Sequence, residues 1–295
     1  MAHTPVLLKE VIEYLDPQPG KFVIDGTVDG GGHTEEILER IGPEGKFLGV
    51  DWDAGMITGA KEKFAGVKNA IFMNGNYADL AEILAERGLG KADGLLLDLG
   101  FSSEQLGSSG RGFSFSGGSA KEPLLMTYDG NCKPVREILK ELSAKELAKI
   151  IFELSGEKFA MRAATAIKEK EEYSPIETAG DLAETIREAL PSGYERGRID
   201  PATRTFQALR IYANDELGNI AKIISSLGGI LEKGGRIVVI SFHSLEDKVI
   251  KENFKKMSAD GRLKILTKKP VAPLAEEVSA NPRSRSAKLR AAEII

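Results

Sequence analysis

One cysteine, three histidines, one tryptophan and no long apolar run: the 295-residue chain is defined first by what it has little of. Cys132 has no partner for an internal disulfide, which fits a reducing cytoplasm. The histidines and the cysteine lie far apart, so no zinc-ligand spacing exists and no metal is expected. The longest apolar runs, "GLLL" (94–97) and "IVVI" (237–240), are far short of the roughly 20 residues that span a bilayer. The amino terminus "MAHTPVLLKEVIEYLDP" lacks a basic leader with an apolar core and cleavage site. A cytoplasmic protein with no membrane partner is expected. The net charge of −4 argues against nucleic-acid binding by overall charge, although its distribution can override the total. "NPRSRSAKLRAA" (281–292) carries four cations and no acid, and "YERGRIDPATRTFQALR" (194–210) carries four arginines against two acids. Each reads as solvated surface charge or as a phosphate-binding segment.

At 42% hydrophobic content the chain can bury a real core, as one large domain or a domain carrying an inserted one. "KFVIDG" (21–26), "GKFLGVDWD" (45–53), "ADGLLLDLG" (92–100) and "GGRIVVISFHS" (234–244) are continuous apolar runs, the pattern of parallel strands covered on both faces. "NAIFMNGN" (69–76) reads as a further strand. Helical patterns at 34–41, 55–65 and 78–88 alternate with these runs and predict an open α/β sheet. From about 107 to 205 strand signals vanish. "SAKELAKIIFEL" opens with the capping box Ser143 and Glu146, and "TAGDLAETIREAL" with Thr178 and Asp181. The predicted organisation is an α/β domain over 1–106 and 206–295, interrupted by a helical insertion over 107–205. Asp200 and Pro201 are expected to start the helix, or pair of helices, that returns to the sheet, and Gly234 with Gly235 to stop it.

The first strand ends in "DGTVDGGGHT" (25–34). A glycine turn between strand and helix lets backbone pass close to a nucleotide-like ligand and offers it the free N–H groups of the helix start. The next strand ends with Asp51, 21 residues after Gly30, where an acid can take hydrogen bonds from ribose hydroxyls. The spacing is not G-x-G-x-x-G, so a dinucleotide pyrophosphate would be poorly served. Asp25, Asp51 and Asp98 at three strand ends instead suit a cofactor with a cationic sulfonium and an amino group. That describes S-adenosylmethionine.

"HTPVLLKEVI", "DGTVDGGGHT", "DGLLLDLGFSSEQL", "RGFSF", "PATRTFQALRIYANDEL", "GGRIVVISFHSLEDKVIK" and "NPRSRSAKLRAAE" occur in order along nearly the whole chain. Together they resemble the bacterial 16S ribosomal RNA cytosine-N4 methyltransferases. The resemblance implies a Rossmann-like S-adenosylmethionine-dependent methyltransferase sheet with an inserted all-helical domain. Its implied substrate is a cytidine in the decoding region of 16S rRNA in the small ribosomal subunit. Cofactor contacts carried over from it are Gly31, Gly32, His33, Asp51, Tyr77, Asp98 and Gln105. The chain departs from the family pattern at Asp29, where glycine is usual, and at Leu125 and Thr127, which replace an acid and an arginine.

The exocyclic amine of cytosine is a poor nucleophile because its lone pair is delocalised into the ring, so the enzyme has to orient it. Asp98 and the turn "LGFSS" after it, with Ser102 and Ser103, are the candidates for that task. His243, in "SFHSLED", is either a general base or part of a hydrogen-bonded loop shaping the pocket. RNA contacts are expected from Arg111, Arg204, Arg283 and Arg285. Phe113 and Phe115 are read as core packing, with base stacking as the alternative. Cys132 is expected to be incidental. A small-molecule methyltransferase and a non-catalytic ribosome-binding factor that kept the fold remain the alternative functions.

Overall fold

The computed structural model describes residues 5–100, 109–191, 193–194 and 199–295. The chain divides into two compact units, Met1–Ser102 with Leu217–Ile295, and Ser103–Glu216.

The first unit is built on a seven-stranded sheet ordered β3-β2-β1-β4-β5-β7-β6. Its strands are β1 (Phe22–Asp25), β2 (Lys46–Asp51), β3 (Ala70–Asn74), β4 (Ala92–Asp98), β5 (Leu231–Ser241), β6 (Leu263–Ile265) and β7 (Lys288–Ile294). The first five run parallel, and β7 is antiparallel to both β5 and β6. Strand order reverses at β1/β4, and ligands of open α/β sheets bind outside the carboxyl ends of the strands at that point. Both faces are covered. Leu95 and Leu97 point into one core with helices α4 (Leu80–Arg87), α10 (Glu216–Ser225) and α12 (Ser244–Ala259). Leu96 points into the other, with α1 (Leu8–Leu15), α2 (Gly32–Ile41) and α3 (Ala54–Lys63). Burial on both sides is why these strands read as unbroken apolar runs.

The second unit is helical in its described part: α5 (Val135–Glu141), α6 (Ala144–Ser155), α7 (Ala160–Tyr173), α8 (Ala179–Ala189) and α9 (Thr203–Ala213). Both expected capping boxes form, at Ser143 with Glu146 and at Thr178 with Asp181. Phe113 is buried and stacks on Tyr128 at 5.5 Å, and Phe115 meets Phe206 edge to face at 4.6 Å, so both are packing residues.

The second unit includes α9, which packs on α6. Two expectations need correction. Asp200 does not cap α9 directly. Its carboxylate accepts from the Ala202 amide and from Arg187, forming a turn one step earlier, and the helix begins at Thr203. Gly234 and Gly235 do not stop a helix. The preceding short helix α11 (Leu227–Ile230) ends before them, and both lie inside β5, where the register against β4 shifts and Gly234 takes a φ of 81°. From Lys288 the segment "NPRSRSAKLRAA" enters β7, inserted between β5 and β6.

Candidate active site

The turn after β1 is braced by its own side chains. Asp25 is buried. One carboxylate oxygen accepts from the Thr27 amide at 3.1 Å and the other from the Thr34 hydroxyl at 2.9 Å. Burial pushes the Asp25 carboxyl up, while His33, Thr34 and the Thr27 amide oppose it. Thr27 in turn accepts the Asp98 amide on its hydroxyl at 2.6 Å, tying the turn to the end of β4. Asp25 therefore braces the turn from within. Thr27 and Thr34 were missed by the sequence reading, since a lone threonine in a glycine turn carries no signal of its partner.

The turn needs two left-handed residues. Asp29 sits at φ 45°, so an aspartate occupies the backbone conformation that glycine would take there. Gly31, the N-cap of α2, sits at φ 70°, and a Cβ on it would lie 2.9 Å from Phe64 Cε2. A Cβ on Gly32 would press on Pro5 at 3.0 Å. The chain thus has no room for side chains at this helix start, which leaves the backbone itself as the surface of the cradle.

Asp51 ends β2 in a buried position. It accepts from the Asp29 amide at 2.9 Å and from the Asp53 amide at 2.8 Å. Burial nevertheless pushes its carboxyl up to about 7, against the lowering effect of those two amides. Each oxygen retains a lone pair for a further donor. Asp98 ends β4, accepts from the Gly100 amide at 3.2 Å, and is likewise pushed up to about 7 by burial, with the charge of Glu246 adding to the effect.

His33 is buried on the first turn of α2. Its Nε2 lies 2.9 Å from the Val6 carbonyl and its Nδ1 lies 3.7 Å from Asp98 Oδ2. Burial lowers the imidazole pKa, so the ring is neutral, Nε2–H donates to Val6, and the Nδ1 lone pair faces Asp98. The contact is no ion pair. It sets a weak acceptor beside a carboxyl that is itself poised between its two protonation states. Tyr77 is half-buried in a single 3₁₀ turn after β3, beside the carboxyl end of β2.

His243 is the N-cap of α12. Its Nδ1 accepts from the Glu246 amide at 3.3 Å, and the buried Glu246 carboxylate accepts from the amides of Phe242 and His243. An accepting Nδ1 fixes the proton on Nε2, 3.1 Å from Glu246 Oε1 but not aligned for a hydrogen bond. A general-base role would require His243 to give up this cap.

The expected RNA residues divide. In the helical unit Arg111 donates to the Tyr128 carbonyl and lies over Phe113, and Arg204 donates to the Tyr194 hydroxyl, which bonds Glu157. Arg283 and Arg285 are exposed on a 3₁₀ turn, Pro282–Ser286. The next two cations of that segment are engaged: Arg290 pairs with Asp247 at 2.6 Å, and Lys288 lies 3.6 Å from it. Ser102, Ser103 and Gln105 lie outside the described residues. Burial pushes the Cys132 thiol up to about 11, so it is no nucleophile at neutral pH.

A strand-end glycine cradle, two strand-end carboxyls of raised pKa and a reversal point at β1/β4 define an α/β enzyme of the nucleotide-cofactor class. The chain belongs to the MraW methylase family, whose model matches residues 1–295. It is 43% identical over 309 residues to the ribosomal RNA small subunit methyltransferase H of Trichlorobacter lovleyi, covering 99% of this chain and 97% of that one. It is 39% identical to the protein of the same name from Clostridioides difficile, covering 99% of each. Among solved structures it resembles Aeropyrum pernix fibrillarin, crystallised with S-adenosyl-L-methionine, at TM-score 0.44 and 12% identity, covering 97% of this chain and 71% of that one.

Proposed function

We propose that the chain transfers a methyl group from S-adenosylmethionine to the exocyclic N4 amine of a cytidine in the decoding region of 16S rRNA, acting in the cytoplasm on the small ribosomal subunit. The observation that carries this reading is the pair of carboxyls at the carboxyl edge of the sheet, the buried Asp51 and the nearly buried Asp98, both lifted to about 7. Such groups are costly to ionise alone. A ligand that brings hydroxyl donors to one and positive charge near the other relieves that cost, and S-adenosylmethionine has both features.

Asp51 accepts from the ribose hydroxyls, Tyr77 covers the adenine face, and Gln105 with the backbone of Gly31, Gly32 and His33 completes the holding set. When bound, the cofactor supplies an electrophilic methyl group on a cationic sulfur. Asp98 accepts from the N4 amine, aligning its lone pair and taking up charge as the nitrogen becomes tetrahedral. The neutral His33 behind it keeps that carboxylate free of an opposing charge. Ser102 and Ser103 contribute contacts to the base. Of the arginines, Arg283 and Arg285 are the better phosphate contacts, since both are exposed while Arg111 and Arg204 are half-buried in the helical unit.

The test is methylation of purified small subunits, with the modified nucleoside identified by mass spectrometry. N4-methylcytidine is expected. Methylation at another atom refutes the N4 chemistry, and tight cofactor binding with no transfer to RNA points to the small-molecule alternative. A folded protein with no calorimetric response to S-adenosylmethionine points to the non-catalytic factor.

A further inference from the structure

Outside this site, a concentration of positive charge lies beside the outermost strand, β6. Residues 251–270 contain seven cations and two acids in a chain whose net charge is −4. They fold into a groove of about 700 Å³ between α12, the edge strand β6 and the segment that follows it. Lys251 and Lys255 project one helical turn apart from α12, Lys264 from β6, and Lys268 and Lys269 from the segment after it, all exposed. Phe254 and Leu263 are buried beneath them and fix helix to strand, so the lysines stand on a rigid frame.

The charge is not spent internally. Arg290, at the groove wall, is neutralised by Asp247. Burial pushes the Asp247 carboxyl up, but the bonds and charge of Arg290 and Lys288 outweigh it and hold the carboxyl below its usual range. Lys264 lies 3.9 Å from Glu293. None of Lys251, Lys255, Lys268 and Lys269 is paired with a carboxylate among the described residues. Four unpaired ammonium groups around one concave surface repel each other, and an anionic partner removes that repulsion.

Direction matters as well. β6 runs parallel to β5 because both are antiparallel to β7, so the segment after β6 emerges at the same edge as Asp98. Val271 pairs with Leu289, which is itself opposite Ile240 near the end of β5. The end of the groove stands three strands from β4, on the order of 14 Å at about 4.8 Å per strand. A strand of RNA whose target base enters beside Asp98 can lay its flanking phosphates there.

We infer that this lysine groove docks the phosphate backbone of the RNA substrate next to the target nucleotide. The inference rests on the RNA-methyltransferase reading. Lysine suits the task because it contacts phosphate as a point charge without reading base identity.

The test uses the full chain carrying Lys251→Gln, Lys255→Gln, Lys268→Gln and Lys269→Gln together, and a second protein with the same four positions changed to arginine. Binding to a fluorescent 16S rRNA fragment is followed across a salt series. For the glutamine variant, the slope of log affinity against log salt is expected to flatten by about 3 to 3.5, at roughly 0.7 to 0.9 for each of the four lost contacts. Its affinity should fall at least tenfold, while its melting temperature and S-adenosylmethionine affinity stay where they are. The arginine variant should bind as the parent does. An unchanged slope and an unchanged KM for subunits, in a parent that methylates RNA, would overturn the groove and leave the enzyme reading intact. A parent that neither binds nor methylates RNA would overturn both. Loss of binding to a polyglutamate peptide with RNA binding untouched would overturn it in favour of an acidic protein partner.

Discussion

Replacing Asp98 by asparagine should change how stability depends on pH. The Asp98 carboxyl is lifted from 3.8 to about 7, chiefly by burial. Between those values the folded protein holds a proton that the unfolded chain has released. Stability from this group is therefore present at low pH and lost as pH rises through 7. Each unit is worth about 1.4 kcal/mol, so the full span is about 4 kcal/mol, of which roughly 2 to 3 kcal/mol falls between pH 5 and pH 8. Asparagine keeps the shape and an oxygen for the Gly100 amide but does not titrate. Urea unfolding of parent and variant at a series of pH values isolates the term, because Asp51 and every other group are common to both proteins. The variant should gain on the parent by about 2 to 3 kcal/mol on going from pH 5 to pH 8. The same proton links to the cofactor: if positive charge is bound beside Asp98, parent affinity for S-adenosylmethionine should rise with pH through about 7, and the variant's should be flat. Parallel stability curves for the two proteins would refute the buried-carboxyl account. Methyl transfer by the variant should fall roughly ten- to hundredfold, the loss of one hydrogen bond to a charged group.

Three further outcomes are expected. Asp51→Ala should weaken S-adenosylmethionine binding by roughly 1.5 to 3 kcal/mol in calorimetry, and unchanged affinity in a folded variant would remove Asp51 from the cofactor site. Gly31→Ala should cost about 1 to 2 kcal/mol from its left-handed backbone alone, with more from the approach to Phe64, read as a lower urea midpoint. A parental midpoint would mean that the turn relaxes freely. Neutralising Arg283 and Arg285 together should flatten the salt dependence of RNA binding by about 0.7 to 0.9 for each lost contact and leave cofactor affinity alone. A lower melting temperature with the slope intact would assign them to pinning the carboxyl-terminal segment instead.

What the sequence made legible, and what it hid, follows from the reach of each interaction. β1, β2 and β4 are visible because burial on both faces demands an apolar residue at nearly every position, and the capping boxes because their partners are three residues apart. The glycine turn is visible for the same reason: left-handed backbone and close approach restrict residue type locally, and Asp29 at φ 45° satisfies the first demand without being glycine. β7 was hidden. "KLRAAEI" places an arginine in the middle of a strand, and what makes that arginine buriable is Asp247, 43 residues earlier in the chain. Arg204 was read as available to RNA because Tyr194 and Glu157, which hold it, are brought together only by tertiary packing. Gly234 and Gly235 were read as a helix stop because paired glycines do end helices, yet the same conformational freedom also builds a bulge within a strand, and only the pairing of β5 with β4 distinguishes the two. Asp25 carries the most instructive case for function. Its place at the strand end is legible, but the bonds it accepts there, from the Thr27 amide and the Thr34 hydroxyl, carry no motif of their own. Burial raises the pKa of all three strand-end acids, Asp25, Asp51 and Asp98, a property that the sequence pattern alone does not carry.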